Sequence, residues 1–175
     1  MLTSFLKSPR TIGSVTPSSA SLGRALSEKI NRRCTHSVIE LGAGTGQVTT
    51  QILKRLPSPD LLTCLEIDRQ MCSQFRASLP GVNLLERDCR EIGSIFSGHE
   101  IANIVSCLPY RSLPKSTTDT IFEQKISLSN SQTIISVFSY DFIFANYHRR
   151  YPIRLLDSRP VFLNFPPARV YHYTL

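Results

Sequence analysis

The chain has 175 residues, a formal net charge of +7, 41% hydrophobic residues and 19% charged residues. These proportions are those of an ordinary globular protein, and we predict one domain over residues 1–175 with a single core. No apolar run approaches the roughly 20 residues that a membrane-spanning helix needs, and the first ten residues lack the apolar segment of a signal peptide. The sequence therefore predicts a cytoplasmic protein, and its positive charge indicates an anionic partner, either nucleic acid or a lipid surface.

The hydrophobic pattern predicts helices that alternate with strands. Helices are predicted over residues 18–31, 46–56, 69–79, 113–128 and 142–151. Strands are predicted over residues 37–41, 61–67, 83–86, 101–108, 133–140, 154–165 and 169–173. Because strands that alternate with helices form parallel sheets, we predict an α/β fold with a mainly parallel sheet and helices on both faces.

The cysteines and histidines show no metal-ligand spacing. Five cysteines form no C-x-x-C pair and lie mostly in apolar segments, and four histidines are scattered along the chain. We therefore predict no metal site and interpret the cysteines as reduced, buried thiols.

A glycine-rich turn follows the first predicted strand. Residues 38–46 are V-I-E-L-G-A-G-T-G, and a helical pattern begins immediately after them. Glycine suits such a turn because the backbone takes unusual φ/ψ values and a ligand must approach bare backbone. Gln47 stands where the dinucleotide fingerprint G-x-G-x-x-G has its last glycine, which makes a pyrophosphate site the weaker interpretation. A purely structural turn remains the alternative.

Acidic residues follow the next two predicted strands, where ligands of such sheets bind. The second strand ends at Glu66, and a carboxylate there can accept hydrogen bonds from both hydroxyls of a ribose; a solvated strand end is the alternative. Asp68 is expected to cap the following helix. After the third strand, Asp88 can accept from an adenine amino group and the Cys89 N–H can donate to the ring, although an aspartate in such a loop is usually a cap.

The E-x-G-x-G-x-G pattern resembles the first motif of class I S-adenosylmethionine (SAM) methyltransferases. This resemblance implies SAM as the cofactor and a Rossmann-like, seven-stranded, mostly parallel sheet with an antiparallel last strand. The two closing strands, which have no helix between them, suit that sheet. The end of the fourth strand is then the place of the reactive methyl group. The residues assigned to the cofactor are Glu40, Gly42, Gly44, Gly46, Glu66, Ile67, Asp88, Cys89 and Ser106.

Three further motifs resemble the bacterial phospholipid N-methyltransferases, which convert phosphatidylethanolamine stepwise to phosphatidylcholine. Residues 5–19 match the family's FL-x-x-P-x-x-x-G-x-x-x-PSS start, and residues 164–171 match its terminal N-x-PPA-x-VY. Residues 106–109 are similar to its SGLP motif, with Cys107 in place of the glycine. Together with the glycine turn, the motifs cover nearly the whole chain.

This resemblance implies a SAM-dependent N-methyltransferase that acts on phosphatidylethanolamine and its methylated derivatives. We expect a monomer in solution that associates peripherally with the anionic inner face of the cell membrane. Residues 1–31 would form a lid and membrane-contact region, with an amphipathic patch at Leu2, Phe5 and Leu6, and residues 37–175 the catalytic sheet. Gly13 would close over the methionine end of SAM.

Candidate residues for the acceptor follow from the chemistry of methyl transfer to a lipid amine. Tyr110 and Tyr140 could orient the amine and hold its methylated cation by cation–π contact, beside Ser106; ordinary packing is the alternative for both rings. Three arginines could pair with the lipid phosphate. They are Arg149, Arg150 and Arg169.

Two other hypotheses remain open. Residues 108–110, Leu-Pro-Tyr, also resemble part of the N-L-P-Y motif of rRNA adenine dimethylases, in which the tyrosine stacks on a flipped base. A nucleic-acid adenine N6-methyltransferase is therefore the second hypothesis, although Ser106 and Cys107 replace the asparagine context. A non-catalytic SAM-fold or lipid-binding module is the third.

Overall fold

The computed structural model describes residues 20–140 and 149–175. Four predictions lie wholly or mostly outside the described residues: the lid and membrane-contact region over residues 1–31, the role of Gly13, the amphipathic patch at the N-terminus, and the helix over residues 142–151.

The described residues form seven strands and five α-helices. The strands are β1 (Ser37–Leu41), β2 (Leu62–Glu66), β3 (Asn83–Glu86), β4 (Ile101–Ser106), β5 (Ile134–Ser139), β6 (Arg154–Val161) and β7 (Ala168–Thr174). The helices are α1 (Ala20–Leu26), α2 (Gln47–Leu53), α3 (Arg69–Ser78), α4 (Ile92–Ile95) and α5 (Lys115–Ser127). Every predicted strand is present, whereas α1 ends well before residue 31. Helix α4 was not predicted, because four residues are too few to show a helical period.

The strands form one sheet in the order β3-β2-β1-β4-β5-β7-β6. Strands β1 to β5 pair in parallel. Strand β7 is antiparallel to both of its neighbours, β5 and β6. Strand β6 therefore runs in the same direction as β1 to β5, and the carboxyl ends of six strands lie at one edge. The predicted class I methyltransferase sheet with its antiparallel last strand is confirmed.

Both faces of the sheet are covered by apolar side chains, as predicted. Successive residues of a strand point to opposite faces, so Val38 packs in the layer that contains Leu22 of α1, and Ile39 packs in the layer that contains Phe122 of α5. Within the described ranges, no helix has the length and apolar character to cross a membrane.

The direction of chain winding reverses at β1. The chain passes from β1 to β2 and β3 on one side of the sheet, and then crosses to β4 on the other. In open α/β sheets, ligands bind at this reversal point, beyond the carboxyl ends of the strands. The loops after β1 and β4 are therefore the expected site.

Candidate cofactor and acceptor site

The turn between β1 and α2 has a backbone that favours glycine. Gly42, Gly44 and Gly46 have φ angles of +73°, +56° and +90°. A Cβ atom at Gly42 would lie 2.7 Å from Leu108 Cδ2, and one at Gly46 would lie 2.6 Å from Leu79 Cδ1. At Gly44 the nearest atom would be 3.9 Å away. Gly42 and Gly46 thus allow close internal packing, and Gly44 leaves space where a ligand can reach the backbone.

Glu66 connects this turn to the end of β2. One carboxylate oxygen, Oε2, accepts from the Gly44 N–H at 2.8 Å. The other, Oε1, accepts from the N–H groups of Ile67 at 2.8 Å and Asp68 at 2.9 Å. The side chain is buried, and the three bonds hold it in place where a ribose is expected. About one of its roughly four lone-pair positions remains for a ligand hydroxyl, and a second hydroxyl would replace the bond from Gly44.

Glu40 lies beneath the turn and has no exposed surface. Its Oε2 accepts from Thr49 Oγ1 at 2.6 Å and from the Cys64 thiol at 3.3 Å, and its Oε1 faces the Cys107 thiol at 3.7 Å. Burial raises the pKa of Glu40 to about 7, against the opposing effect of these hydrogen bonds. In the structure Glu40 ties β1 to α2, β2 and the end of β4. Its contact with the cofactor stays a prediction.

Asp88, after β3, caps a short 3-10 helix over Cys89–Glu91. It accepts from the Arg90 backbone N–H at 2.8 Å and from the Arg90 guanidinium at 2.7 Å. Partial burial opposes ionisation, but the hydrogen bonds and charge of Arg90 outweigh it and lower the pKa of Asp88. Burial raises the pKa of the Cys89 thiol to about 12. The structure thus gives Asp88 the capping role, and the adenine contacts of Asp88 and the Cys89 N–H stay predictions.

The end of β4 carries a buried chain of polar groups that sequence analysis missed. The Ser106 and Tyr110 hydroxyls are hydrogen-bonded, and Lys125 Nζ donates to the Tyr110 hydroxyl at 3.0 Å. Lys125 is fully buried, with Nζ 3.5 Å from the centroid of the Phe122 ring. Burial lowers the pKa of Lys125 well below its usual value. Among the described residues no carboxylate pairs with it.

Tyr110 is enclosed by these groups. Its ring is buried and packs against Phe122, and its hydroxyl is bound to Ser106 and Lys125. Tyr110 and Lys125 fix the position of Ser106. The cation–π contact of Tyr110 with an amine stays a prediction, and it would require the ring to be uncovered. Ser106 is itself fully buried, so its predicted contact with ligand stays a prediction.

Tyr140 directly follows β5 and is 37% exposed. Its ring packs edge-on against Phe138, with centroids 5.2 Å apart. Partial burial raises the pKa of Tyr140, against the opposing effect of a hydrogen bond with Asn164. Asn164 is buried and donates from Nδ2 to the Pro166 carbonyl at 2.8 Å. The C-terminal motif therefore meets the end of β5, and Tyr140 is a partly exposed residue at the ligand edge.

The three arginines that were predicted to bind the lipid phosphate have different surroundings. Arg150 donates to Asp119 of α5 at 2.6 Å. Arg169 lies opposite Ser139 in the pairing of β7 with β5, at the carboxyl end of β5. Its guanidinium donates to Ser158 at 3.3 Å. Arg149 is exposed. Arg169 is thus at the ligand edge, while Arg150 is held on the flank of α5, so the structure does not gather the three into one phosphate site.

One family model resembles this chain over the region that contains the glycine turn, and one known protein resembles it over nearly its whole length. A family model described as ribosomal RNA adenine dimethylase matches residues 19–133. The ornithine lipid N-methyltransferase of Singulisphaera acidiphila is 30% identical over 177 residues, which cover 95% of this chain and 90% of that protein.

Solved structures share the fold at low sequence identity. TrmN from Thermus thermophilus has a TM-score of 0.66 and 17% identity over 97% of this chain; the match spans only 52% of TrmN. A SAM-dependent methyltransferase from Anabaena variabilis has a TM-score of 0.65 and 12% identity, and the match covers 84% of this chain and 79% of that one.

The family match includes the residues that are predicted to form the cofactor site. It extends from α1 to the start of β5 and so contains the glycine turn, Glu66 and Asp88. The space at Gly44, the fixed carboxylate of Glu66 and the winding reversal at β1 fit a nucleoside ligand such as SAM. The chain therefore belongs to the ribosomal RNA adenine dimethylase family, and it is a SAM-dependent methyltransferase with the class I fold.

Proposed function

We propose that this protein methylates the amine of a lipid headgroup, with phosphatidylethanolamine and its methylated derivatives as acceptors. The observation that carries the proposal is the position of Tyr140, a partly exposed residue at the ligand edge that is hydrogen-bonded to Asn164 of the C-terminal motif. The family model ends at residue 133 and does not reach this region. The ornithine lipid N-methyltransferase does align over nearly the whole chain, and a lipid amine is the acceptor class that its name gives.

The chemistry asks mainly for positioning. When bound, SAM supplies an electrophilic methyl group on a sulfonium. Transfer to an amine is an in-line displacement, and holding the two reactants in line can provide most of the acceleration. The turn at Gly42–Gly46 and the carboxylate of Glu66 would hold the nucleoside end. The Ser106–Tyr110–Lys125 chain would keep the end of β4 rigid beside the acceptor.

Tyr140 would orient the acceptor. Each methylation leaves the nitrogen as a cation, and an aromatic face attracts such a cation by roughly 0.5–2 kcal/mol. Because the Tyr140 ring packs against Phe138 and its hydroxyl is hydrogen-bonded to Asn164, holding a cation would cost the ring little conformational entropy. Arg169, at the carboxyl end of β5, is the arginine best placed to pair with a lipid phosphate.

Adenine methylation in RNA is the second candidate, and the family match favours it. In the rRNA adenine dimethylase motif that residues 108–110 resemble, the tyrosine stacks on the target base. Here Tyr110 is buried against Phe122 and Lys125. A base could not stack on it without displacing those side chains, and for this reason we rank lipid first.

The test is a transfer assay with labelled SAM and three acceptors in parallel. These are phosphatidylethanolamine vesicles, ornithine lipid vesicles and an adenine-containing rRNA fragment. Label in phosphatidylethanolamine supports the proposal, and label in ornithine lipid alone would keep the lipid class and change the headgroup. Label in RNA but not in lipid would contradict it. SAM binding by calorimetry without transfer to any acceptor would indicate a non-catalytic module.

A further inference from the structure

The loop between β6 and β7, residues 162–167, carries the most exposed large apolar side chains of the described residues. Phe162, Leu163 and Phe165 are 73%, 82% and 80% exposed. Pro166 and Pro167 complete a loop with a single polar side chain, that of Asn164. We call residues 162–167 the hairpin tip. Adjacent exposed apolar side chains of this size are typical of an interaction site.

The hairpin tip is held in this arrangement by its polar residue. Asn164 lies between Leu163 and Phe165 and is only 4% exposed. Its side chain donates to the Pro166 carbonyl at 2.8 Å and is hydrogen-bonded to Tyr140. The polar side chain therefore points inward while its apolar neighbours point outward. This is the reverse of the usual preference, and it indicates that the apolar side chains are exposed for a partner.

The hairpin tip lies at the ligand edge of the sheet. Strand β6 runs parallel to β5 and ends at the tip, and β7 returns antiparallel from it. The tip therefore shares an edge with the glycine turn and with Ser106. Its bond to Tyr140 connects it directly to the proposed acceptor residue. A partner that covers the tip would lie next to the site.

We propose that the hairpin tip inserts into the surface of a phospholipid bilayer and so presents lipid headgroups to the site. This inference rests on the proposed function and names the surface that would deliver its substrate. Apolar side chains at the interface and cations beside them are the combination that binds anionic bilayers. Arg169 is near the base of the tip, opposite Pro160, and the chain carries a net charge of +7.

The size of the surface favours a bilayer over a second copy of the chain. Three side chains of this kind can bury on the order of 500 Å² in total, whereas a stable protein interface buries about 800 Å² on each partner. A bilayer accepts a small projecting group because lipids adapt to its shape. Partition of a few apolar side chains is enough for reversible attachment when electrostatic attraction adds to it.

The experiment compares one triple-serine variant and one double-serine control, both made in the full chain. The tip variant is Phe162→Ser, Leu163→Ser and Phe165→Ser. The control is Leu155→Ser and Leu156→Ser at the other end of β6, where the side chains are 37% and 41% exposed. Co-sedimentation with vesicles of phosphatidylethanolamine and phosphatidylglycerol should fall by about tenfold or more for the tip variant and stay unchanged for the control. Equal binding by the tip variant and the wild type would overturn the inference.

A second measurement separates this inference from the proposed function. Methyl transfer is assayed with phosphatidylethanolamine in vesicles and with a short-chain, monomeric form of the same lipid. The tip variant should lose transfer to vesicles and keep transfer to the monomeric lipid, which also shows that it is folded. If the wild type methylates neither lipid but needs the tip to bind vesicles, the proposed function fails and the inference stands. If the tip variant binds vesicles normally but changes a dimer into a monomer, the partner is a second copy and the inference is wrong.

Discussion

Glu66 is the residue on which the proposed cofactor site depends most. Its carboxylate accepts three backbone N–H groups, from Gly44, Ile67 and Asp68. Replacing it by alanine removes the proposed ribose acceptor and leaves these donors without a partner, at a cost of about 1–3 kcal/mol. We expect Glu66→Ala to weaken SAM binding by about 100-fold, measured by calorimetry.

The matched control is Glu86→Ala, which removes the carboxylate at the end of the neighbouring strand. Glu86 is exposed and forms an ion pair with Arg69 at 3.0 Å, and its loss should leave SAM affinity unchanged. Unaltered affinity in Glu66→Ala would show that the ribose is bound elsewhere.

Lys125 gives a second prediction at the residue scale. Burial lowers its pKa below 10.5, the value of an exposed lysine. Below pH 10.5 the unfolded chain therefore binds a proton at Lys125 more readily than the folded chain does. The free energy of unfolding consequently rises as the pH rises toward 10.5. Replacement by methionine removes this dependence and the cost of burying an amine. We expect Lys125→Met to raise the free energy of unfolding at neutral pH by about 1–4 kcal/mol and to lower the rate of methyl transfer, because Tyr110 loses its anchor.

Chemical denaturation at neutral and at mildly alkaline pH tests this expectation. The control is Lys115→Met, an exposed lysine of the same helix that pairs with Asp119 at 3.3 Å; it should change stability by less than about 1 kcal/mol. If Lys125→Met kept the pH slope of the wild type, Lys125 would be charged in the folded protein.

At the scale of elements, alanine substitutions in the turn between β1 and α2 can distinguish the effect of backbone strain from the effect of contact with the cofactor. Gly42, Gly44 and Gly81 all have φ in the left-handed region, so alanine at any of them costs about 1–2 kcal/mol. At Gly42 the new Cβ also meets Leu108 at 2.7 Å, whereas at Gly44 and Gly81 the space is open. We expect Gly42→Ala to destabilise the fold more than Gly81→Ala. Gly81→Ala is the control, because it introduces the backbone strain without a steric clash.

Gly44→Ala should match Gly81→Ala in thermal unfolding but bind SAM at least about tenfold more weakly, because its Cβ would fill the space through which the cofactor is proposed to reach the backbone. Calorimetry on the two variants is the measurement. Equal SAM affinity in both would mean that the cofactor does not approach the backbone at Gly44.

The strands could be predicted from the sequence because each is a short apolar run with clear ends. Strand β3 was predicted with its exact bounds, Asn83–Glu86, since Pro80-Gly81 precedes it and charged residues follow. The site at the strand ends followed from the parallel order of the sheet. The contact between Tyr140 and Asn164 could not be predicted, because it depends on β7 lying between β5 and β6.

Burial of charge was also hidden from the sequence. A glutamate before a glycine turn suggests a ligand contact, and a lysine in a helix suggests solvent, yet Glu40 and Lys125 are both fully buried. Neither has a sequence signal, because their partners come from other elements. Glu40 bonds to Thr49 of α2, and Lys125 reaches Tyr110 of the loop after β4.

For the whole molecule, two buried side chains on different strands, His172 and Glu40, have opposite effects on how stability changes with pH. Burial lowers the pKa of His172 to about 4, and the unfolded chain, with a pKa of 6.5, binds the proton first. His172 therefore lowers stability as the pH falls from 6.5 to 4. Burial raises the pKa of Glu40 from 4.5 to about 7. The folded chain then holds the proton longer, so Glu40 lowers stability as the pH rises from 4.5 to 7.

The two effects overlap between pH 4.5 and 6.5, and each is worth roughly 3 kcal/mol over its full range. His172→Gln removes the first effect and can keep the hydrogen bond that joins His172 Nδ1 to Ser136 at 2.8 Å. We expect this variant to gain stability relative to the wild type as the pH falls, by about 2–3 kcal/mol at the acid end, in urea denaturation followed across this range. Glu40→Gln should change in the opposite direction, and the exposed His99→Gln should follow the wild type. Parallel profiles for all four proteins would mean that His172 and Glu40 keep their ordinary pKa values despite their burial.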